Sequence, residues 1–535
     1  MQVDVLYVGA GPANLASAIH LLKLMAKEKR FQPSVCILEK GPRVGAHCLS
    51  GAVMDPVALK ELLPDYMDKK APIEKEVTRE EIYYLTSRGK MKFPIIPAPL
   101  KNHGNFIISL SRLTRWLAET ANELGVNILE GVAARRLLYQ GDRIIGVRAE
   151  GRGFANGEDI KAKITVLGEG SSGALTRNVI NHFDLSKGKL PQVFELAVKE
   201  IFEMPPGSVD EGRVIHTLGY PMNGQTAGGS FIYNMAGDRL AIGLVVSLDS
   251  PDPQIDPHVE FQRFKSHPFI RSLLSGGNSK YYGAKTIPSG GYYTVPRLFV
   301  DGALIVGDSA SLVNMERLKG IHLAMKSGMC AAETISDALD ADDFSAAKLE
   351  SYQQRLDRSY VWTELKRSRN FRQAWTKIGF ARWFHLGMQQ ITNGRGIVDP
   401  MPIVPDAATT KRTKEFYGED NEASPKIQFD EAYLLSKPAA IARTATQHDK
   451  KKPTHISNRR GDICRTCWLT HHSPCNHFCP AGVFKTYVNP LTKMADLSIN
   501  FVSCIHCKAC DVKCPKDNII WVPPEGGAGP DYEAM

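Results

Sequence analysis

No stretch of 18 or more apolar residues occurs in the 535-residue chain, which excludes a membrane-spanning helix and leaves only superficial membrane contact. The opening lacks the charged and then apolar segment of a secretory signal. Strand-like residues begin at about Val3, which points to a prokaryotic cytosolic chain. Biased compositions are absent too: 43% hydrophobic and 23% charged residues are close to the globular average and exclude disordered, collagen-like and coiled-coil chains. Charge of one strong sign is also missing. Lys+Arg 66 against Asp+Glu 57 leaves +9, too diffuse for nucleic acid but suited to an anionic lipid surface or an acidic protein partner. Cysteine is nearly missing from the first 463 residues, where only Cys36, Cys48 and Cys330 occur. These have no partners in spacing and read as small apolar residues.

What is present is a bunching of the other eight cysteines between 464 and 514. Bridging disulfides would be spread through the domains they staple, whereas C-x-x-C units group thiolates around a metal centre in a reducing setting. The length sets a soft prior of three or four domains. The expected fold is α/β with an α+β insert. A Rossmann-like domain is discontinuous over 1–185 and 297–345. An antiparallel β-rich domain covering a ligand cavity spans 186–296, a basic helical segment and proline-rich surface linker 346–460, and a ferredoxin-like iron–sulfur domain 461–535.

The nucleotide reading starts from VDVLYVGAGPANLASAIHLLKLMAKEKRFQPSVCILEK, an apolar strand, a glycine turn, a helix and a second strand ending at Glu39. Gly9 permits the tight turn, Gly11 lets the backbone approach a pyrophosphate, Pro12 follows it into the helix, and the helix N-terminus supplies N–H donors. Glu39 is placed for ribose hydroxyls, with Lys40 beside it. Asn14 stands where a third glycine is usual, so the helix sits farther from the strand or the asparagine makes a polar contact of its own. In ALIVGDSA a strand delivers Gly307 and Asp308, and Gly320 starts a helix that can face an anionic flavin ring. A strand-end aspartate suits ribityl hydroxyls, and the two segments together favour FAD over a nicotinamide. A glycine turn without nucleotide, or Asp308 as a mere helix cap, is the plain alternative.

The cysteines form two lines, Cys464-x2-Cys467-x7-Cys475-x3-Cys479-Pro480 and Cys504-x2-Cys507-x2-Cys510-x3-Cys514-Pro515. Both follow bacterial ferredoxin grammar, the first with an insertion, and in two-cluster ferredoxins the fourth cysteine of each run ligates the other cluster. That rule assigns Cys479, Cys504, Cys507 and Cys510 to one [4Fe–4S] centre and Cys464, Cys467, Cys475 and Cys514 to a second. Zinc competes for C-x-x-C pairs, but the prolines and the C-x-x-C-x-x-C run favour iron–sulfur.

Together with VGAHCLSGAVMDP (44–56), NHGNFI (102–107), GGSFIY (228–233), SGGYYTVPRL (289–298), LKGIHLAMKSG (318–328), FCPAGVF (478–484), SCIHCKACDVKCP (503–515) and WVPPEGGAGPDY (521–532), the chain resembles electron-transfer flavoprotein:quinone oxidoreductases over essentially its whole length. The likeness includes the nitrogen-fixation-type flavoprotein with its ferredoxin-like module. The resemblance implies an oxidoreductase that takes electrons from reduced electron-transfer flavoprotein (alpha and beta subunits) through a [4Fe–4S] centre and FAD to a membrane quinone. By resemblance the family's cluster maps onto Cys479, Cys504, Cys507 and Cys510, its quinone-contacting glycines onto Gly290 and Gly291, and its membrane-dipping helix onto about Val44 to Asp65. A peripheral, monotopic position on the cytoplasmic face of a prokaryotic membrane follows. Asn14, Asp308 and the second ferredoxin half depart from the mitochondrial pattern.

Residues 366–388 carry Lys366, Arg367, Arg369, Arg372, Lys377 and Arg382 beside Phe371, Trp375, Ile378, Phe380, Trp383 and Phe384, the pattern of an interfacial segment or of a core helix with a solvated face. No side chain is expected to be an indispensable catalytic acid or base, because the cofactors carry the redox chemistry. His103, His216 and His322 are candidate proton donors that read as structural. The alternatives are a flavin-dependent prenyl (geranylgeranyl) reductase and an electron-transfer subunit of a bifurcating flavoprotein complex.

Overall fold

The computed structural model describes all residues except 52, 223, 419–426 and 492–493, so Pro425 of the proline-rich stretch lies outside the described residues. In the first sheet, strand β1 (Gln2–Val8) runs parallel to β2 (Val35–Glu39) on one side and to Phe154–Leu167 on the other. Asn127–Glu130 continues beyond β2, Ala303–Ile305 and Phe299–Val300 continue beyond Phe154–Leu167, and the antiparallel pair Val132–Gln140 and Arg143–Gly151 attaches at the Phe154–Leu167 strand. The β1 and β2 sequences are almost continuous runs of buried apolar residues, as a sheet covered on both faces requires.

Helix α1 (Pro12–Lys27) begins with proline at its first position, where the missing N–H costs nothing, and Gly11 gives no side-chain cap. Helix α2 (Ile321–Ala341) starts after Gly320, also without a side-chain cap. The two helices pack so closely that a Cβ on Gly328 would overlap the carbonyl of Ala13. Asn14 does not hold α1 away from the sheet. Its amide donates to the carbonyls of Val8 (2.9 Å) and Gly9 (2.7 Å), and a Cβ on Gly168 would lie 2.5 Å from it. The small residue that permits close helix–strand approach therefore sits on the strand end, as Gly168.

The second sheet has the order β3 (Asn278–Pro288), Phe194–Glu203, Arg239–Ser247, Gly228–Met235, Arg213–Gly219, Arg79–Leu85, Lys90–Lys92. It is antiparallel except where Arg213–Gly219 pairs parallel with Arg79–Leu85. Residues 79–92 therefore belong to this sheet and not, as drawn from the sequence, to the nucleotide layer. The stretch around 427–460 is likewise no surface drape. Leu435, Ala440 and Ile456 are buried in one core with the second sheet and the cysteine module.

The C-terminal tail returns to the first domain. Gly527 N–H donates to the Lys40 carbonyl (2.8 Å), Tyr532 N–H to Ala46 (2.8 Å) and Ser111 N–H to Met535 (3.1 Å). Arg43 pairs with Asp531 at 2.9 Å. These bonds strap residues 40–46 in place and bury Tyr532, Ala534 and Met535. Among the described residues no helix is long and apolar enough to cross a membrane. Most described apolar side chains of 44–65, the stretch that the resemblance makes membrane-dipping, are in the interior: Val44, Ala46, Val53, Met54, Ala58, Leu59, Leu62 and Leu63 are all buried, and helix Val57–Leu62 packs on α2.

Candidate functional site

A cavity of about 800 Å³ runs between the two sheets. One end is built by the first domain. Gly9, Gly11, Pro12, Glu39, Lys40, Gly307, Asp308 and Gly320 all line it. Gly9 has φ +95° and a Cβ there would lie 2.6 Å from the Gly168 carbonyl, so only glycine leaves room for this turn. Ala10 N–H (3.0 Å) and Gly41 N–H (2.7 Å) hold the two oxygens of Glu39 at the cavity wall. The Asp308 carboxylate makes no side-chain hydrogen bond among the described residues, and burial pushes it up to about 6 against the pull of Lys285. With uncapped amides at the starts of α1 and α2, a carboxylate for ribose and a free one for a polyol chain, this end fits FAD.

The other end is apolar and is built by the second sheet and the later helices. It is lined by Ile82, Phe93, Pro97 to Leu100, Gly228 to Phe231, Leu218, Phe371, Trp375, Trp383 and Leu386. The polar groups there are few. His216 bonds Tyr233 at 2.9 Å and burial lowers it to about 3, so it is neutral. Burial pushes Glu195 up to about 7, opposed by Arg372. Of the three candidate histidines only His216 lines the cavity. His322 bonds Glu364 at 3.1 Å and His103 lies on an exposed turn. Gly290 and Gly291 are not part of the wall: Gly290 N–H donates to Gln192 (2.9 Å) beyond the end of β3. Gly228 and Gly229 do line the cavity. Cys48, read as ordinary packing, also lines the cavity, whereas Cys36 and Cys330 are core residues.

The cysteine module closes the flavin end. Lys508, Trp521 and Pro523 line the cavity, and Lys508 Nζ donates to the carbonyls of Ser171 (2.9 Å) and Ser172 (2.8 Å). Lys40 Nζ lies 2.8 Å from His47 Nδ1 and 3.1 Å from His506 Nδ1, and burial lowers it to about 7. Cys479, Cys504, Cys507 and Cys510 are all buried. Burial pushes Cys504 up to about 12 and raises the other three, so a positively charged centre is what would hold them as thiolates. Val483 N–H (3.5 Å) points at the Cys479 sulfur and His506 N–H (3.4 Å) at that of Cys504. Backbone donors on buried sulfurs fit an iron–sulfur cluster.

Lys285 and Glu195 lie outside the quoted motifs, and His47, Lys508 and Trp521 lie inside them without being singled out, since each becomes a site residue only through tertiary packing.

Residues 194–287 match the family model described as "ETF-QO, ubiquinone-binding", and 427–533 match "Electron transfer flavoprotein-ubiquinone oxidoreductase, 4Fe-4S". The curated electron transfer flavoprotein-ubiquinone oxidoreductase of Pseudomonas aeruginosa is 36% identical, covering 100% of this chain and 99% of that protein. The mitochondrial enzymes of rice (38%, 100% of this chain, 93% of that one) and human (36%, 100% and 89%) are similarly related. The chain belongs to the electron transfer flavoprotein-ubiquinone oxidoreductase family.

The family's ubiquinone-binding match ends at 287, so it contains Gly228 and Gly229 and excludes Gly290 and Gly291. Among solved structures, a geranylgeranyl bacteriochlorophyll reductase-like protein from Thermoplasma acidophilum aligns with TM-score 0.57 at 18% identity over 78% of this chain and 97% of that one. A flavoprotein/dehydrogenase from Cytophaga hutchinsonii aligns with TM-score 0.51 at 17% identity over 75% and 90%. These two likenesses are of fold alone. The family matches carry the oxidoreductase reading and give no support to the prenyl reductase alternative.

Proposed function

We propose that this oxidoreductase accepts electrons from reduced electron-transfer flavoprotein (alpha and beta subunits) and delivers them through a [4Fe–4S] centre and FAD to a quinone. Cys479, Cys504, Cys507 and Cys510 hold the cluster. Gly9, Gly11, Pro12, Glu39, Lys40, Gly307, Asp308 and Gly320 form the FAD cradle. When bound, the cluster supplies one-electron chemistry and the flavin both one- and two-electron chemistry.

The observation that carries this reading is the continuity of the site: one cavity touches the cluster loop at Lys508 and reaches the apolar end at Trp383 and Leu386. The quinone head group lies against Gly228 and Gly229, where missing side chains leave room, with His216 and Tyr233 beside it. Beyond that end Ile378, Phe380, Trp383, Phe384 and Ile391 are exposed, as are Tyr84, Met91 and Ile95 of the hairpin that also supplies Ile82 and Phe93. Exposed aromatics and aliphatics with Lys377 and Arg382 around them suit a lipid surface. The protein sits peripherally on the cytoplasmic face of a membrane with this face down, and residues 366–388 rather than 44–65 make the contact.

Turnover of the isolated protein with reduced electron-transfer flavoprotein and a soluble quinone analogue tests the reading. Quinone reduction by the isolated protein is expected. Activity only inside a larger flavoprotein complex, or reduction of an isoprenoid double bond with no quinone turnover, overturns it.

A further inference from the structure

We infer that Cys464, Cys467, Cys475 and Cys514 form a second metal site, taking a [4Fe–4S] cluster. The four ring a small void of about 20 Å³ whose remaining lining is mainly apolar, Ile463, Phe478, Leu497 and Ile519 among it, with Ser473, Lys516 and Asn518 also lining it. Cys514 therefore leaves its own run and joins the other three, which is the exchange of fourth cysteines found in two-cluster ferredoxins. A closed zinc site, with four sulfurs at about 2.3 Å from one ion, leaves no such space.

The two halves also repeat each other in local structure. Cys479 accepts the N–H of Val483 and Cys514 accepts the N–H of Asn518, in each case from the fourth residue onward, at 3.5 and 3.3 Å. Short helices Cys475–Phe478 and Ala509–Lys513 precede these two cysteines and pack on each other. The seven-residue spacing after Cys467 is absorbed by a longer helix, Gly461–His471, followed by two left-handed residues, His472 and Ser473.

Donors converge on the second set as they do on the first. Asn518, 1% exposed, also gives its side-chain amide to Cys464 at 3.1 Å, and Asn458 approaches the same sulfur at 3.6 Å. The eight cysteines are free of disulfides. Cys464 and Cys514 are half-buried, so this is the outer of the two centres.

Anaerobically prepared protein is expected to contain about eight irons and eight sulfides per FAD, four of each per cluster. Fully reduced samples should integrate to two spins per FAD. The Cys464→Ala/Cys475→Ala variant is expected to halve the iron and retain FAD and one cluster signal. Should that variant fail to fold, Asn518→Ala keeps the test open: it removes the amide donor to Cys464 and is expected to lower the potential of one cluster and leave the other unshifted. About four irons and one spin per FAD in the wild type, or one zinc per FAD beside four irons, overturns the proposal. Neither result bears on quinone reduction with reduced electron-transfer flavoprotein, so the two readings fail separately.

Discussion

The backbone N–H of Thr286 donates to the carbonyl of Cys507 at 3.1 Å, so β3, which supplies Lys285, Thr286 and Ile287 to the cavity wall, also holds the loop that starts at Cys507. The Thr286 hydroxyl lies 3.0 Å from that of Ser171, whose carbonyl receives Lys508 Nζ. The loop and the wall are thus one hydrogen-bonded unit.

Lys508→Met removes both Nζ bonds while keeping most of the side chain's unbranched length. Leaving two buried carbonyls without that donor costs about 1–3 kcal/mol. We expect a lower denaturant midpoint at unchanged slope and weaker FAD retention, with the cluster signal present. An unchanged midpoint and full flavin content would show that Lys508 does not brace this junction.

Much of the site was legible because it is local in sequence. Gly9 to Pro12, the Glu39 strand end, Gly307 and Asp308 are each placed by a short strand–turn–helix context, and all reach one cavity. The quinone end was less legible, since its wall is assembled from residues 82–100, 195–231 and 371–390 by sheet pairing that no local pattern announces. The parallel pairing of Arg79–Leu85 with Arg213–Gly219 is an example, joining strands over a hundred residues apart. The resemblance alone makes residues 44–65 a membrane-dipping helix, whereas most of their described apolar side chains pack inward, with helix Val57–Leu62 on α2.

Glu195 gives the stability a pH dependence. Burial raises it to about 7 from an ordinary value of 4.5, so between those values the native state holds a proton that the unfolded chain has lost. Its contribution is fully present below about 4.5 and is lost as pH rises through about 7, a span worth about 3 kcal/mol. Denaturation measured from pH 5.5 to 8.5 should show stability falling toward 7 and levelling above it. Glu195→Gln, which can still accept from Ser247, should make that slope shallower, while Glu260, also raised to about 7 by burial, keeps its own share. An unaltered slope in the variant would place the titration elsewhere.

The two glycine pairs separate by kinetics. A Cβ on Gly229 would lie 3.2 Å from the Thr217 carbonyl, tightening the apolar end, so Gly229→Ala should raise KM for a quinone analogue about tenfold, or about 1.4 kcal/mol. Gly291 has φ +74° with open space around it. Gly291→Ala should leave KM unchanged and cost roughly 1 kcal/mol of stability through its left-handed backbone. The reverse pattern would return the quinone site to 290–291.

The lipid-facing surface can be tested away from the cavity. Ile378, Phe380 and Ile391 are 63%, 82% and 80% exposed, and none lines the cavity. Burying each apolar side chain in lipid is worth roughly 1.5–3 kcal/mol, so the triple change to serine should weaken vesicle binding by more than about 100-fold. FAD and iron content should be retained, because the three side chains have little packing to lose. Turnover with a soluble quinone analogue should be unchanged, and turnover with a long-tailed quinone embedded in vesicles should fall. If co-sedimentation with vesicles persists in the variant yet disappears in high salt, attachment rests on the basic residues alone, since screening acts on charge and not on buried apolar area.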